Sequence, residues 1–454
     1  MQRGRLVADT LVLTGSSMTT RIIGLMFQIY LTNRIGATGI GLYFLTMSVG
    51  MFAATFAVSG VRLAAIRLVS EELGRGSGGG AKAAVRKCAV YAVCFGTAAS
   101  LLLLFGADFI GSRLIGDERT ILSLRFLSLN LPFLSLGAVF SGYFTAVRRV
   151  GKLALTQVCE QVVRIAVTIL ALTAVEPDDV EHSCAAIVIG SAAGEFAGFL
   201  LSFVMYLADK NHLPRAGRGN REITLRLCKI ALPVAVSSYV RSALFSVCNL
   251  LVPRGLRAYG TAPEGALADY GMIQGMVFPI ITFPAALFIS LSELLVPELT
   301  DAQIKGNKDR IKFLVNRILK SCLIFSAAVA VALLLFSEEL GLILYKSSEV
   351  GKYVRAFVLL TPLMYLDNVT DGMLRGLGEH MYCMRVSIAD AALSVILLWS
   401  LLPRFGIAGY IFAVYLTEAF NFLLSLSRLY RVSHSNDCRH GTGKTLKTSR
   451  YYYD

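Results

Sequence analysis

Charge is scarce in this chain. Only 16% of its 454 residues are Asp, Glu, Lys or Arg, against 55% hydrophobic residues, whereas an ordinary soluble domain carries about 25% charged residues. That shortage excludes a water-soluble globular domain. Histidine is also scarce: the five present form no HExxH or similar ligand spacing, so no metal site is expected. The nine cysteines are scattered, odd in number and contain no CxxC pair, which excludes a disulfide framework and reads them as small buried hydrophobes. GRGSGG at 74–79 fits the GxGxxG pattern, but it follows an apolar helix where the dinucleotide motif needs a strand; it reads as a flexible loop.

What is present is a series of apolar stretches close to the roughly 20 residues needed to cross a 30 Å hydrocarbon core. They are centred near Arg21, Phe52, Gly96, Leu136, Val163, Glu195, Arg241, Ile281, Ala327, Leu363, Ala392 and Glu418. The expected fold is therefore an all-α polytopic membrane protein of about twelve transmembrane helices. The net charge of +14 does not point to nucleic acid, because the basic residues are spread between the spans in a regular alternation. Loops with Arg3 and Arg5, with Arg67 to Lys87, with Arg148 to Lys152, with Lys210 to Arg221, with Lys305 to Lys312 and with Arg439 to Lys447 are basic; the alternate loops are poorer in Lys and Arg, and 176–182 (EPDDVEH) is acidic. The positive-inside bias then predicts that both termini are cytoplasmic. Arg3 and Arg5 precede an apolar run without a clean cleavage site, so a retained first helix is expected.

The two halves of the chain match. Arg21 and Arg241 lie inside equivalent apolar runs, and each is followed by another arginine, Arg34 and Arg254, at the same spacing. Tyr43 to Glu71 has the length of Tyr270 to Glu298, and Pro132 to Gly142 that of Pro362 to Gly372; these two prolines are followed at equal distance by Glu160 and Asp390. The string E-x-x-x-F-L-L-S occurs at Glu195–Ser202 and again at Glu418–Ser425. Four matches in one order indicate an internal repeat. Six spans per half give two six-helix bundles of the same orientation, the parallel-repeat plan of rocker-type transporters. The expected division is an N-terminal bundle at 1–209, a cytoplasmic linker at 210–229 running into the seventh helix, a C-terminal bundle at 230–431, and a disordered basic cytoplasmic tail at 432–454.

A guanidinium in hydrocarbon costs about 2.5–3.5 kcal/mol on insertion scales, so an intramembrane arginine marks a cavity or a partner. Arg21 and Arg241 at equivalent positions suggest a shared cationic cavity. Arg62 has two readings: it contacts substrate, or it snorkels from the end of its helix to the headgroups. Glu160 and Arg164, four apart on one helix with the acid first, favour a structural ion pair over a transport role. Glu195 and Glu418 sit mid-span without an i+4 base; they pair with arginines of other helices, or carry protons or sodium. Asp367, Asp371 and Asp390 are weaker candidates for a cation site.

The segments RIIGLMFQIYLTNRIGATGIGLYFL, LRFLSLNLPFLSLGAVFSGYFTAVRRVGKLALTQVCEQVVRIAVTILAL and GMLRGLGEHMYCMRVSIADAALSVILLWSLLPRFGIAGYIFA resemble the first two, the fourth and fifth, and the tenth to twelfth helices of the polysaccharide-transporter and stage V sporulation protein B group. That group is close to the MurJ-type lipid II flippases, in the multidrug, oligosaccharidyl-lipid and polysaccharide exporter superfamily. The resemblance implies an alternating-access flippase, not an enzyme, that moves a polyprenyl-pyrophosphate-linked saccharide across a bacterial plasma membrane. It implies no cofactor, with coupling to Na⁺, H⁺ or the membrane potential. It also places Arg21 and Arg62 where cavity arginines of the lipid II branch meet pyrophosphate. The eighth span departs from that branch, carrying Asp269 and Glu293 without an arginine. Two rival functions stand: a cation-coupled multidrug exporter, which would be expected to carry a carboxylate where Arg21 and Arg241 stand, and a membrane glycosyltransferase or polymerase, which would need catalytic acids on larger loops. The oligomeric state is not legible.

Overall fold

The computed structural model describes residues 2–176, 179–210, 223–285, 298–300, 302–303 and 305–434. Most of the expected linker (211–222), Glu293 and the tail from 435 lie outside the described residues. Among the described residues every regular element is helical. In order they are α1 (Gln2–Val58), α2 (Val61–Gly74), α3 (Gly78–Phe109), α4 (Ile121–Ala146), α5 (Val150–Thr173), α6 (Val180–Asp209), α7 (Ile223–Tyr259), α8 (Pro263–Met272), α9 (Phe278–Thr282), α10 (Lys308–Leu335), α11 (Ser337–Tyr345), α12 (Ser348–Phe357), α13 (Leu360–Gly376) and α14 (His380–His434).

Helix length alone shows where the chain must turn. At 1.5 Å per residue an unbroken α1 or α14 would run more than 80 Å, over twice the thickness of a bilayer core. Each is broken by one glycine, Gly36 (φ 73°, ψ 177°) in α1 and Gly406 (φ 57°, ψ −135°) in α14. A side chain is disfavoured at these backbone angles; at Gly406 a Cβ would also meet the ring of Tyr259 at 2.8 Å. Among the described residues, eight helical stretches are long and apolar enough to span a membrane. The two that contain a glycine break count twice, and the interrupted segments α8–α9 and α12–α13 complete about twelve crossings, as the hydropathy predicts.

The apolar side chains face outward as well as inward. Phe105, Trp399 and Leu170 are 80%, 72% and 68% exposed, which is costly in water and natural where lipid is the solvent. GRGSGG, read above as a flexible loop, is instead a short turn between α2 and α3: Ser77 caps α3 by accepting the Gly80 N–H at 3.0 Å. The basic connection after α4 is tied down too. Buried Asp209 accepts from Arg149 and, at 2.5 Å, from Lys152.

By packing, the chain forms two compact units, Met1–Phe278 with Leu398–Gly406, and Pro279–Leu397 with Ile407–Asp454. In the first, small residues let backbones approach: Ala64, Ala65, Ala81, Ala84 and Cys88 form the core where α2, α3 and α4 meet. α6 presents Gly190, Gly194 and Gly198 at four-residue spacing to α5. A Cβ on Gly190 would lie 1.9 Å from Thr168 Oγ1, and one on Gly194 2.7 Å from the Glu160 carbonyl. That seam presses Glu160 and Arg164 against α6. The second unit packs Leu314, Cys322, Tyr365, Val369, Met373 and Leu429 together, and the Tyr365 hydroxyl donates to the Ile281 carbonyl at 2.7 Å.

Candidate functional site

The second span is broken in its middle. α1 ends at Val58, Ser59 (φ 45°) and Gly60 (φ 70°) both adopt the left-handed region, and α2 begins at Val61. A serine there is strained, and it persists because its surroundings over-determine it. Ser59 is fully buried; its Oγ lies 3.0 Å from the Tyr91 hydroxyl of α3 and 2.5 Å from the Tyr239 hydroxyl of α7, and Tyr91 also donates to the Ser59 carbonyl at 3.2 Å. Gly60 has no room for a side chain, since a Cβ would stand 2.7 Å from the Ala231 carbonyl. A Ser-Gly pair in an apolar run is a known cause of helix breaks, and it is the sequence signal that could have located this one.

The break opens a cavity of about 500 Å³ lined by Met51, Thr55, Gly60, Arg62, Ser238 and Arg241, among others. Arg62 and Arg241 are both exposed, and among the described residues neither is engaged in an ion pair or hydrogen bond. The structure thus brings Arg62 and Arg241 to one cavity. Arg21, exposed on the first arm of α1, lines neither this cavity nor the next. The second arginines of the repeat do matching work: Arg34 donates to the Leu172 carbonyl near the end of α5, and Arg254 to the carbonyls of Arg113 (2.6 Å) and Leu114 beyond α3. Both satisfy helix-end carbonyls that lack intrahelical partners.

A second cavity, about 350 Å³, lies within the first unit among α2, α4, α5 and α6; Arg62, Ser141, Thr156, Gln157, Glu160 and Glu195 supply its polar lining with Ser202. Val58 and Arg62 line both cavities. Glu160 accepts from Arg164 Nη2 at 2.5 Å, so the pair expected from the sequence is formed. Glu195 lies close to Glu160, Arg164 and Asn130, and its Oε2 is buried with no hydrogen-bond partner among the described residues. A third cavity is almost wholly apolar, lined by Phe126, Leu129, Phe133, Ile189 and Phe196 around Asn130.

In the second unit Asp367, Asp371, Asp390 and Glu418 fall within electrostatic reach of one another. Asn421 donates to Asp367 at 2.9 Å and Ser425 to Asp371 at 3.3 Å, while Arg375 stands 3.5 Å from Asp371. Asp367 and Asp390 each keep one buried carboxylate oxygen without a hydrogen-bond partner among the described residues. The repeat therefore holds in space: Glu160 neighbours Glu195 in one unit, and the equivalent Asp390 neighbours Glu418 in the other. The first pair has Arg164 as counter-ion, whereas Ser394 stands at the matching position in the second. Among the described residues no group of three or more His, Cys, Asp or Glu is placed to hold a metal ion.

One ionic cluster escaped the sequence reading. Arg226, in the first turn of α7, pairs with both Glu71 and Glu72 at the end of α2 (3.1 Å to Glu72), and Arg67 and Arg75 add further pairs at 3.0 and 3.1 Å. Arg226 lies 155 and 154 positions from Glu71 and Glu72, a pairing that no local spacing reveals.

Comparison with known proteins follows the same lines. The family described as "Polysaccharide biosynthesis protein" matches residues 6–286. The chain belongs to that family. A second family, MatE, matches residues 233–400. The chain is 25% identical to stage V sporulation protein B of Bacillus subtilis (strain 168) over 91% of its own length and 81% of that protein's. It is 20% identical to the lipid II flippase MurJ of the same organism, over 87% of this chain and 76% of that one. Its fold matches the inward-facing conformation of a multidrug resistance MATE family transporter of the MOP superfamily at a TM-score of 0.70 and 15% identity, covering 92% of this chain and 96% of the other. This polysaccharide biosynthesis family member is thus a multi-pass membrane protein, with the all-α fold expected from its hydropathy.

Proposed function

We propose that this protein is an alternating-access flippase that moves a polyprenyl-pyrophosphate-linked saccharide from the inner to the outer leaflet of a bacterial plasma membrane, with both termini in the cytoplasm. The observation that carries the reading is the cavity at the break in the second span, where two arginines without anionic partners among the described residues stand together. A pyrophosphate leaving water must exchange its hydration for something, and a guanidinium is a permanently charged planar fork suited to phosphate oxygens. The first turn of α2 adds to this, because amides at a helix start lack intrahelical partners and carry the positive end of the dipole. Broken helices lining mid-membrane cavities serve anionic substrates in the same way in other transporters.

Energy for transport comes, in this reading, from H⁺, Na⁺ or the membrane potential; the acids of the second unit, where Asp390 lacks the i+4 base that Glu160 has in the first, are its candidate cation site. A second reading, a cation-coupled multidrug exporter, is favoured by the MatE match over 233–400 and by those same acids. The arginine cavity weighs against cationic drugs.

The test is flipping of a fluorescent lipid-linked oligosaccharide in proteoliposomes. Losing one charge-assisted hydrogen bond, worth about 1.5–3 kcal/mol, should slow flipping about tenfold or more in Arg62→Gln and in Arg241→Gln. Lysine should restore part of it. Arg21→Gln, run beside them, reads whether the first arm of α1 also meets the headgroup. Wild-type rates in a folded Arg62→Gln, Arg241→Gln double variant would overturn the assignment, and export of a cationic dye without lipid flipping would favour the drug reading.

A further inference from the structure

One side chain borders two cavities of opposite character. Arg62 lines the cavity it shares with Arg241 and also the one that contains Glu160 and Glu195. A guanidinium does not titrate in a protein, so which cavity it serves depends on the charge of its surroundings. Around the second cavity the charged groups are Arg62 from α2, Glu160 and Arg164 from α5, and Glu195 from α6. Tyr43 from α1 and Asn130 from α4 border the cluster without charge, Tyr43 facing Arg164 and Asn130 facing Glu195. Glu160 is compensated by Arg164 at 2.5 Å. Glu195 keeps a buried oxygen with no hydrogen-bond partner among the described residues, which leaves it as the group whose protonation changes the balance.

With all four charged groups ionised, two cations face two anions and Arg62 is balanced within the second cavity. One proton on Glu195 leaves a positive charge in excess, and an anion in the first cavity can meet it. We propose that Arg62 is shared between the two cavities and couples them: ionised Glu195 draws its guanidinium inward, and protonated Glu195 releases it to join Arg241 on an anionic ligand. This rests on reading the Arg62–Arg241 cavity as an anion site. Thermodynamic linkage then requires reciprocity: if the proton raises affinity for the anion by some factor, the anion raises affinity for the proton by the same factor.

The experiment uses the full chain in lipid nanodiscs, with geranylgeranyl pyrophosphate as the probe, at about pH 6 and pH 8 and constant sodium. Wild type should bind about fivefold or more tightly at the lower pH, beyond the change in Glu195→Gln, whose residual change is the probe's own titration. Glu195→Gln should hold the tighter affinity at both values. Arg62→Gln should bind weakly and lose the pH dependence that Arg241→Gln keeps around a lower affinity. Wild type should take up protons on binding in weak buffer, a reading that needs no variant to fold.

A pH change in wild type no larger than in Glu195→Gln would overturn the coupling, as would full pH dependence in Arg62→Gln or an affinity that follows sodium and not pH. In those cases weak binding by Arg241→Gln would leave the anion site standing. If wild type fails to bind, or an Arg62→Gln, Arg241→Gln double variant binds like wild type, the anion site falls and the coupling with it.

Discussion

Glu160 and Arg164 show how a single pair can hold both a local and a distant role. Their spacing makes the pair on one helix face, and the glycine seam of α6 determines what else they touch: Gly194 and Gly198 let α6 ride directly over them and bring Glu195 alongside. Removing either partner leaves the other charge without its ion-pair partner in a half-buried site. Breaking a buried pair costs about 3–5 kcal/mol; the low end applies here, since the two side chains remain 28% and 32% exposed. Glu160→Gln and Arg164→Gln should therefore each lower the melting temperature of the purified protein. Exchanging the two residues should recover part of the loss. A stable Glu160→Gln that does not transport would assign the acid to the mechanism.

At the scale of elements, breaks matter more than helices. Twelve apolar spans would form in almost any arrangement, but the position of Arg62 depends on two left-handed residues in succession, Ser59 and Gly60. Gly60→Ala should destabilise by about 1–3 kcal/mol, because the new side chain must adopt a disfavoured conformation and displace the Ala231 carbonyl. Thermal unfolding followed by circular dichroism checks it. An unchanged midpoint would mean that α7 yields easily at this point and that the break is not enforced by packing. The polar contacts along the same seam, Ser246 to the Ser48 carbonyl at 2.6 Å and Thr55 to Ser242 at 3.2 Å, tie α7 to the second arm of α1 on the other side of the break.

For the whole molecule, the distribution of basic residues sets which face of the membrane each connection is expected to meet. The charge alternation predicts that the turn after α2 is cytoplasmic and the acidic connection before α6 is external. In a variant with all nine cysteines replaced, a single cysteine at Glu176, which is exposed, should react with an impermeant thiol reagent in intact cells. One at Gly74, where a side chain would meet open space, should react only after permeabilisation. The reverse pattern would invert the proposed orientation and turn the direction of flipping with it.

Class, the number of crossings, the internal repeat and the Glu160–Arg164 pair were all legible in the residues, because each is a local matter: an apolar run seeks the bilayer wherever it lies, and residues four apart share a helix face. The acids Asp367, Asp371, Asp390 and Glu418 were legible as candidates, though not as one cluster. Only the tertiary structure decided that Arg62 shares its cavity with Arg241, that Arg62 also borders Glu160 and Glu195, and that Arg226 clasps Glu71 and Glu72. Those meetings depend on the rotation and register of helices far apart in the chain, which are set by glycine contacts such as Gly41 against the Leu267 carbonyl and Gly194 against that of Glu160. Such contacts leave no periodicity within either helix. A hydropathy pattern can therefore say that an intramembrane charge needs company, but the close approach of backbones determines which group supplies it.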